Sequence, residues 1–255
     1  MSTIIFFDTE TNSLDTQNGF IAEIAWALYH VECRKMLSAE SYFVKWPQLY
    51  SMDPQAAAVT GLSFGFCQEV GHEARSVFSK FIMAKNRADY ICGHNAIHFD
   101  VPMVKSNWQR AKLCTTPDDN TPGLKICDRP LIDTLHDLPY PESQTMMKLK
   151  YLACDHGYNL VDAHSALADV LACKHLLSCY PFEKVLEISK TPLINVKAYC
   201  SWDELEIHKK LKNGRFYFNK QGKCWERKIR EYFLKDLESG MNLQIEMEYE
   251  AVEIS

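Results

Sequence analysis

The 255-residue chain has no apolar run of the roughly 18–20 residues needed to cross a bilayer; even Phe20 to Tyr29 is interrupted by Glu23. Membrane insertion is therefore excluded. The N-terminus, Met1-Ser2-Thr3-Ile4-Ile5-Phe6-Phe7 and then Asp8 and Glu10, lacks the basic region and apolar length of a secretory leader, which predicts a cytoplasmic protein. Gly and Pro are scarce, ten of each, so collagenous and low-complexity classes are ruled out. Positive charge is in deficit: 28 Lys and Arg against 33 Asp and Glu leave a net charge of −5. A polyanion could then be met only through metal ions or a local basic patch. Ten cysteines are present, yet none forms a Cys-x2–4-Cys pair, and the Cys-x-His pairs Cys92/His94, Cys154/His156 and Cys173/His175 lack structural-zinc spacing. They read as buried, reduced thiols.

What is present is an ordinary globular composition, with 47% hydrophobic residues and 24% charged. Ile4 to Phe7 reads as a short buried strand, and Phe20 to His30 and Cys33 to Trp46 follow as a meander of two β-rich stretches. The pattern then turns helical, with a short piece at Gln55 to Ala58 and an amphipathic helix from Glu73 to Lys85 that presents Val77, Phe78, Phe81 and Ile82. Tyr90 to Gly93 reads as another buried strand. Helical patterns resume at Val101–Trp108, Thr145–Asp155 and His164–Cys179, interrupted by a Pro/Asp/Asn/Thr-rich loop from Thr115 to Pro122. Strands first and helices later predict an α/β or α+β layered domain over residues 1–190.

Four acidic residues in this domain stand out. Asp8 and Glu10 are two apart at the end of an apolar strand, so both carboxylates share a face and can reach one cation. Buried unpaired carboxylates are costly, and a hard divalent cation would neutralise them; a solvated acidic turn is the plainer alternative. Asp100 follows the Tyr90–Gly93 strand on the first turn of the next helix. Asp169 lies on a strongly apolar helix, with His164 four intervening residues before it, so both can face one cleft.

Taken together, Phe7-Asp8-Thr9-Glu10-Thr11, His94-Asn95-x-x-His98-Phe99-Asp100 and His164-x4-Asp169 resemble the three exonuclease motifs of the DEDDh 3′–5′ exonucleases, over about residues 1–185. Val59-Thr60-Gly61-Leu62 and Ile132-Asp133-Thr134-Leu135 resemble two intervening segments of that superfamily. The resemblance implies an RNase H-like mixed sheet flanked by helices and a DNA 3′–5′ exonuclease releasing nucleoside 5′-monophosphates. It implies two Mg2+ or Mn2+ ions on Asp8, Glu10, Asp100 and Asp169, with His164 as general base. Substrate contacts would fall to Thr9, Thr11, Leu14, Asn95 and Phe99, with Leu14 wedged against the terminal base. The expected partner is nucleic acid, as single-stranded DNA or duplex 3′ ends. An exoribonuclease and a non-catalytic binding or sensor protein on the same fold are the alternatives. One departure is clear: the family often reads Thr-Thr-Gly-Leu after its first motif, whereas this chain has Thr11-Asn12-Ser13-Leu14, which leaves the loop shape open.

Residues 191–255 read as a separate α+β module of order α-β-β-α-β. Ser201-Trp202-Asp203-Glu204 matches a capping box ahead of a helix to Lys212. Lys220-Gln221-Gly222 marks a hairpin turn, Arg230 to Ser239 a second helix closed by Gly240, and the alternation from Leu243 to Glu250 a final strand. Arg215, Tyr217, Lys220, Lys223, Trp225 and Arg227 combine charge with rings, the pairing that suits a single-stranded nucleic acid. Against that stands a plainer assignment, with Phe216, Phe218 and Trp225 as the module's own core. Contact with a protein partner or a second copy of the chain is the other role considered.

Overall fold

The computed structural model describes residues 1–113, 128–161, 164–241 and 245–249. These form two compact units: residues 1–134 with 149–179, and residues 135–148 with the chain from 180 onward. The sequence reading drew its boundary at 190. The expected Thr115–Pro122 loop lies outside the described residues, as do Leu243, Gln244 and Glu250 of the last strand.

The first unit is built on strands β1 (Thr3–Thr11), β2 (Ile21–His30) and β3 (Lys35–Lys45). These three pair antiparallel in sequence, as the meander pattern predicts. Helices α1 (Pro54–Thr60) and α2 (Phe64–Val70), the two-residue β4 (His72–Glu73) and α3 (Ala74–Lys85) come next. β5 (Tyr90–Gly93), α4 (Asp100–Leu113), β6 (Leu131–Asp133), α5 (Leu149–Asp155) and α6 (Ala166–Ser178) complete the unit. The sheet order is β4-β3-β2-β1-β5-β6, with β5 and β6 parallel to β1 and β4 parallel to β3. A mixed six-stranded sheet results, and helices flank it.

Strand β2 explains the layering. Ile24, Trp26 and Leu28 alternate with Glu23, Ala25 and Ala27, and all are buried. The large set joins Ile5, Phe7, Phe78 and Phe81 in one core cluster. There Phe81 lies 5.5 Å from Phe7 and 5.6 Å from Trp26 by ring centroids, contacts of about 0.5–1.5 kcal/mol each beyond area burial. The other set is opposed rung for rung by the acids of β1: Glu10 faces Glu23 and Asp8 faces Ala25. Directly opposed residues of an antiparallel pair share a face. That face is where the small alanines leave room for α6, which packs on β1 and β2.

Several helix boundaries depart from the sequence pattern, among them that of α4, which runs from Asp100 to Leu113 instead of Val101 to Trp108. Helix α6 starts at Ala166 instead of His164, because His164 has φ +74, which no helix admits. Helix α5 starts at Leu149, not Thr145, in a segment where Gln144 Nε2 donates to the Met146 carbonyl. The expected helix at Arg230 begins only at Leu234, because Arg230 still pairs with Leu193 in a sheet.

That sheet is the second unit's. Strands β7 (Leu193–Ala198), β8 (Tyr217–Asn219), β9 (Cys224–Arg230) and β10 (Ile245–Tyr249) pair antiparallel in the order β10-β7-β9-β8. Helices α7 (Phe182–Ser189), α8 (Leu205–Asn213) and α9 (Leu234–Met241) accompany it. Strand β7 was not read from the sequence; it makes the order β-α-β-β-α-β. Half of the capping box forms: the Ser201 N–H donates to Glu204 Oε2 at 2.7 Å, but Glu204 itself is the N-cap residue. The 135–148 segment is held here by Arg230 Nε donating to Asp137 Oδ1 at 2.6 Å, both groups buried, and by the Tyr140–Tyr180 ring contact.

Candidate active site

The C-terminal end of β1 delivers Asp8 and Glu10 to the α6 face, and a register shift between Glu10 and Thr11 ends the regular pairing there. Such bulges re-aim side chains next to functional sites. Helix α6 supplies Asp169 in its first turn, and His164 precedes the helix. One ligand atom each of Glu10, His164 and Asp169 lies within 4.8 Å of the others. Asp100, the first residue of α4, is buried and accepts a 2.6 Å hydrogen bond from Thr9 Oγ1.

Electrostatics shows the cost of this arrangement. Burial, then the carboxylates of Asp100, Asp169 and Glu10, push Asp8 well above the usual carboxylate range. Burial and the charges of Asp169, Glu23 and Asp100 push Glu10 up to about 8. Asp100 rises to about 7, chiefly by burial, against the opposing Thr9 bond. Asp169 rises to about 6 by burial, with the main-chain N–H of His164 partly offsetting it. Each carboxyl is thus destabilised as an anion, first by burial and then by a nearby carboxylate, which is Asp133 for Asp100 and Glu23 for Asp169. An oxygen-rich, mutually repelling donor set of this kind fits hard divalent cations.

His164 is exposed, and its positive φ is uncommon for a residue with a Cβ; such conformations cluster at functional sites. Asn95 shares that region at φ +58. It belongs to a tight loop whose main chain is gripped by Asp133, a fully buried residue of β6 that accepts from the N–H groups of Asn95 at 2.8 Å and Ile97 at 3.0 Å. Phe99 packs against the core cluster. The missing loop glycine is answered by Asn12: its Oδ1 accepts from Phe20 N at 2.6 Å and its Nδ2 donates to Ser51 O at 2.8 Å. Thr11 Oγ1 donates to Ser13 O, and Leu14 stands out at 84% exposure.

The second unit separates its six candidate contact residues. Tyr217, Lys220 and Lys223 are exposed. Trp225 is half-buried against His208 and Phe218, at the edge of the unit's core. Arg215 and Arg227 are half-buried and donate to the carbonyls of Pro141 and Gly214. Burial and mutual repulsion lower Arg227 to about 10.

Two residues at the site were not singled out from the sequence. Asp133 was noted only as part of an Asp-Thr-Leu segment, although its role as a loop anchor needs the fold to be seen. Glu23 had a signal, a lone acid within an apolar strand, but only the β1/β2 register shows that it faces Glu10.

A mixed sheet with a three-stranded antiparallel meander, parallel strands beside it, and four carboxylates at the end of the first strand defines an RNase H-like exonuclease. Residues 5–177 match the RNase_T family, described as exonuclease, and the chain belongs to that family. No curated protein matches it. Among solved structures it is similar to E. coli Exonuclease I in complex with a dT13 oligonucleotide, with a TM-score of 0.58 and 17% identity over 78% of this chain and 49% of that one. The zinc-bound form of the E. coli ExoI–ssDNA complex gives 0.58 and 18% over 78% and 48%. The ExoI/SSB-Ct complex gives 0.56 and 16% over 78% and 49%. The chain spans about half the length of these proteins. Among the described residues no helix is long and apolar enough to cross a membrane.

Proposed function

We propose that the protein is a metal-dependent 3′–5′ exonuclease that removes nucleoside 5′-monophosphates from DNA 3′ ends. The observation that carries this reading is a cluster of carboxyls at Asp8, Glu10, Asp100 and Asp169, all pushed upward, of which Glu10 and Asp169 bring a ligand atom within 4.8 Å of one on the exposed His164. Asp8, Glu10, Asp100 and Asp169 would hold two Mg2+ or Mn2+ ions, which when bound would neutralise the scissile phosphate and stabilise the attacking and leaving oxygens. His164 takes a proton from the attacking water. The water oxygen bonds to phosphorus as the bond from phosphorus to the 3′-oxygen breaks, and that oxygen takes a proton from solvent to become the new 3′-OH while His164 returns its own to solvent. Thr9 steadies Asp100 through its hydroxyl, and exposed Leu14 is available to wedge the terminal base. Thr11, Asn95 and Phe99 line the path of the last nucleotides.

DNA is favoured because the similar solved structures hold DNA oligonucleotides. RNA is the alternative, since rejecting a 2′-OH takes only a few contacts near Thr9 and Leu14. The second unit serves as an accessory module that grips the strand through Tyr217, Lys220 and Lys223, with a protein partner or second copy as the other assignment.

The test is a gel assay of matched 5′-labelled single-stranded DNA and RNA oligomers with Mg2+, Mn2+ or EDTA. The expected result is a metal-dependent ladder shortening from the 3′ end, faster on DNA. A ladder faster on RNA moves the substrate to the alternative. Folded protein that binds oligomers but yields no ladder removes the enzyme reading.

A further inference from the structure

We infer that Glu23 is a positioning residue that clamps the start of α6 to the sheet, fixing His164 and Asp169 opposite Glu10. The inference rests on the exonuclease reading of that site. Strand β2 is otherwise almost wholly apolar through Leu28, and Glu23 is only 5% exposed. A carboxyl withdrawn from water needs hydrogen bonds on its oxygens, and here each oxygen has its own donor. Oε1 accepts from Ser41 Oγ at 2.5 Å, across the β2/β3 ladder. Oε2 accepts from the main-chain N–H of Ala166 at 3.3 Å.

Ala166 opens α6, so its N–H is one of the donors that a helix leaves without an internal partner. The N-cap residue, Ser165, makes no side-chain capping bond. Glu23 supplies the missing acceptor from a strand 143 residues earlier in the chain, and a carboxylate suits the positive end of the helix dipole. The clamp sits between the two functional residues: His164 is two positions before Ala166, and Asp169 three after. Because Glu23 is also the rung partner of Glu10, one side chain refers the acid of β1 and the groups of α6 to the same point of the sheet. Both oxygens are engaged, and the ligand cluster of Glu10, His164 and Asp169 does not include Glu23. Glu23 therefore supports the ligands without being one of them.

Glu23→Met and Glu23→Gln separate this role from simple packing. Methionine fills the volume without a strong acceptor; glutamine keeps an amide oxygen for Ala166. The readouts are kcat and KM on a 5′-labelled DNA oligomer with Mg2+, and amide exchange at Ala166 in full-length protein without added metal. We expect Glu23→Met to lower kcat about 10- to 100-fold, the usual effect of losing a residue that orients metal ligands, with KM within about twofold. Its Ala166 amide should exchange roughly tenfold faster than in wild type. Glu23→Gln should stay within about threefold of wild type on both counts, since the acceptor is retained. Unchanged kcat and exchange in Glu23→Met overturn the clamp, and so does Glu23→Gln behaving like Glu23→Met. If Glu23→Met fails to fold, wild type decides with Glu23→Gln: a protected Ala166 amide in both supports the bond, and free exchange in wild type removes it. Exchange needs no turnover, so a wild-type protein that releases no nucleotide fails the exonuclease reading and leaves the clamp still to be judged.

Discussion

Asp137 and Arg230 in the second unit are as withdrawn from water as Asp100 and Glu10 in the first, yet only the former set pairs opposite charges. The Arg230 guanidinium meets the fully buried Asp137 carboxyl at 2.6 Å and adds a bond to the Thr191 carbonyl. Lys85, buried in the first unit, is likewise matched by Asp128. Around Asp8, Glu10 and Asp169, by contrast, the neighbouring charges that act on each carboxyl are anionic. Compensated charge holds a segment of chain in place, whereas uncompensated charge implies a ligand that the protein receives from outside.

The largest test of that contrast is Asp8→Ala. It should reduce nucleotide release on the order of 10³-fold or more, as expected when a member of a concerted site is lost, while the melting temperature without added metal stays level or rises because repulsion is relieved. His164→Ala should cost about 10²–10⁴-fold, the worth of a general base. Both are read as released 5′-mononucleotide per unit time, and wild-type turnover by folded Asp8→Ala would break the contrast outright.

Next comes Arg230→Ala, which strands a buried carboxylate and should destabilise the protein by about 3–5 kcal/mol. Arg230→Met combined with Asp137→Leu should recover most of that loss, because an apolar pair of similar volume carries no desolvation penalty. Denaturant midpoints decide; equal midpoints for wild type and Arg230→Ala would show that the pair contributes nothing.

A smaller effect concerns pH. The unfolded chain releases its carboxyl protons near pH 4, whereas the folded one keeps them until about 6 at Asp169, 7 at Asp100 and 8 at Glu10. Between those limits the folded state binds more protons, so stability without added metal falls as pH rises from about 4 to 8. Asp8→Ala should flatten that fall, and denaturation at pH 5, 7 and 8.5 measures it. Stability that instead climbs over this range would contradict the upward shifts.

The smallest expected change comes from Lys220→Ala and Lys223→Ala. If these exposed residues meet phosphates, each should reduce the slope of log affinity against log salt by about 1. Unaltered slopes would leave the second unit to a protein partner.

Much of the first unit was legible because its signals are local. The apolar run of β1 and the period of β2 and β3 give a meander from the chain alone, and Asp8, Glu10, Asp100, His164 and Asp169 stand at the ends of readable elements. What escaped depends on pairing. Strand β7, Leu193 to Ala198, opens what read as the start of a new module and is recognisable beside β9 and β10. Arg230 looked like a helix start until its carboxylate partner was known. Glu23 looked like an interruption of an apolar run, and its meaning lies in one rung of a ladder and one amide far along the chain.

The rung that sets Glu10 against Glu23 also limits how the gene for this protein can change length. Side chains alternate along a strand, so a one-residue slip between β1 and β2 would turn Asp8 and Glu10 onto the face of Ile24 and Trp26. Insertions and deletions between Asp8 and Glu10, or between their partners Glu23 and Ala25, would therefore displace an acid from its face. The turn from Ser13 to Gly19 lies outside both ladders, so a change of length there would spare the register of the acids but would disturb Leu14 and the bonds that Ser106 and Asn107 make to the Thr16 and Gly19 carbonyls.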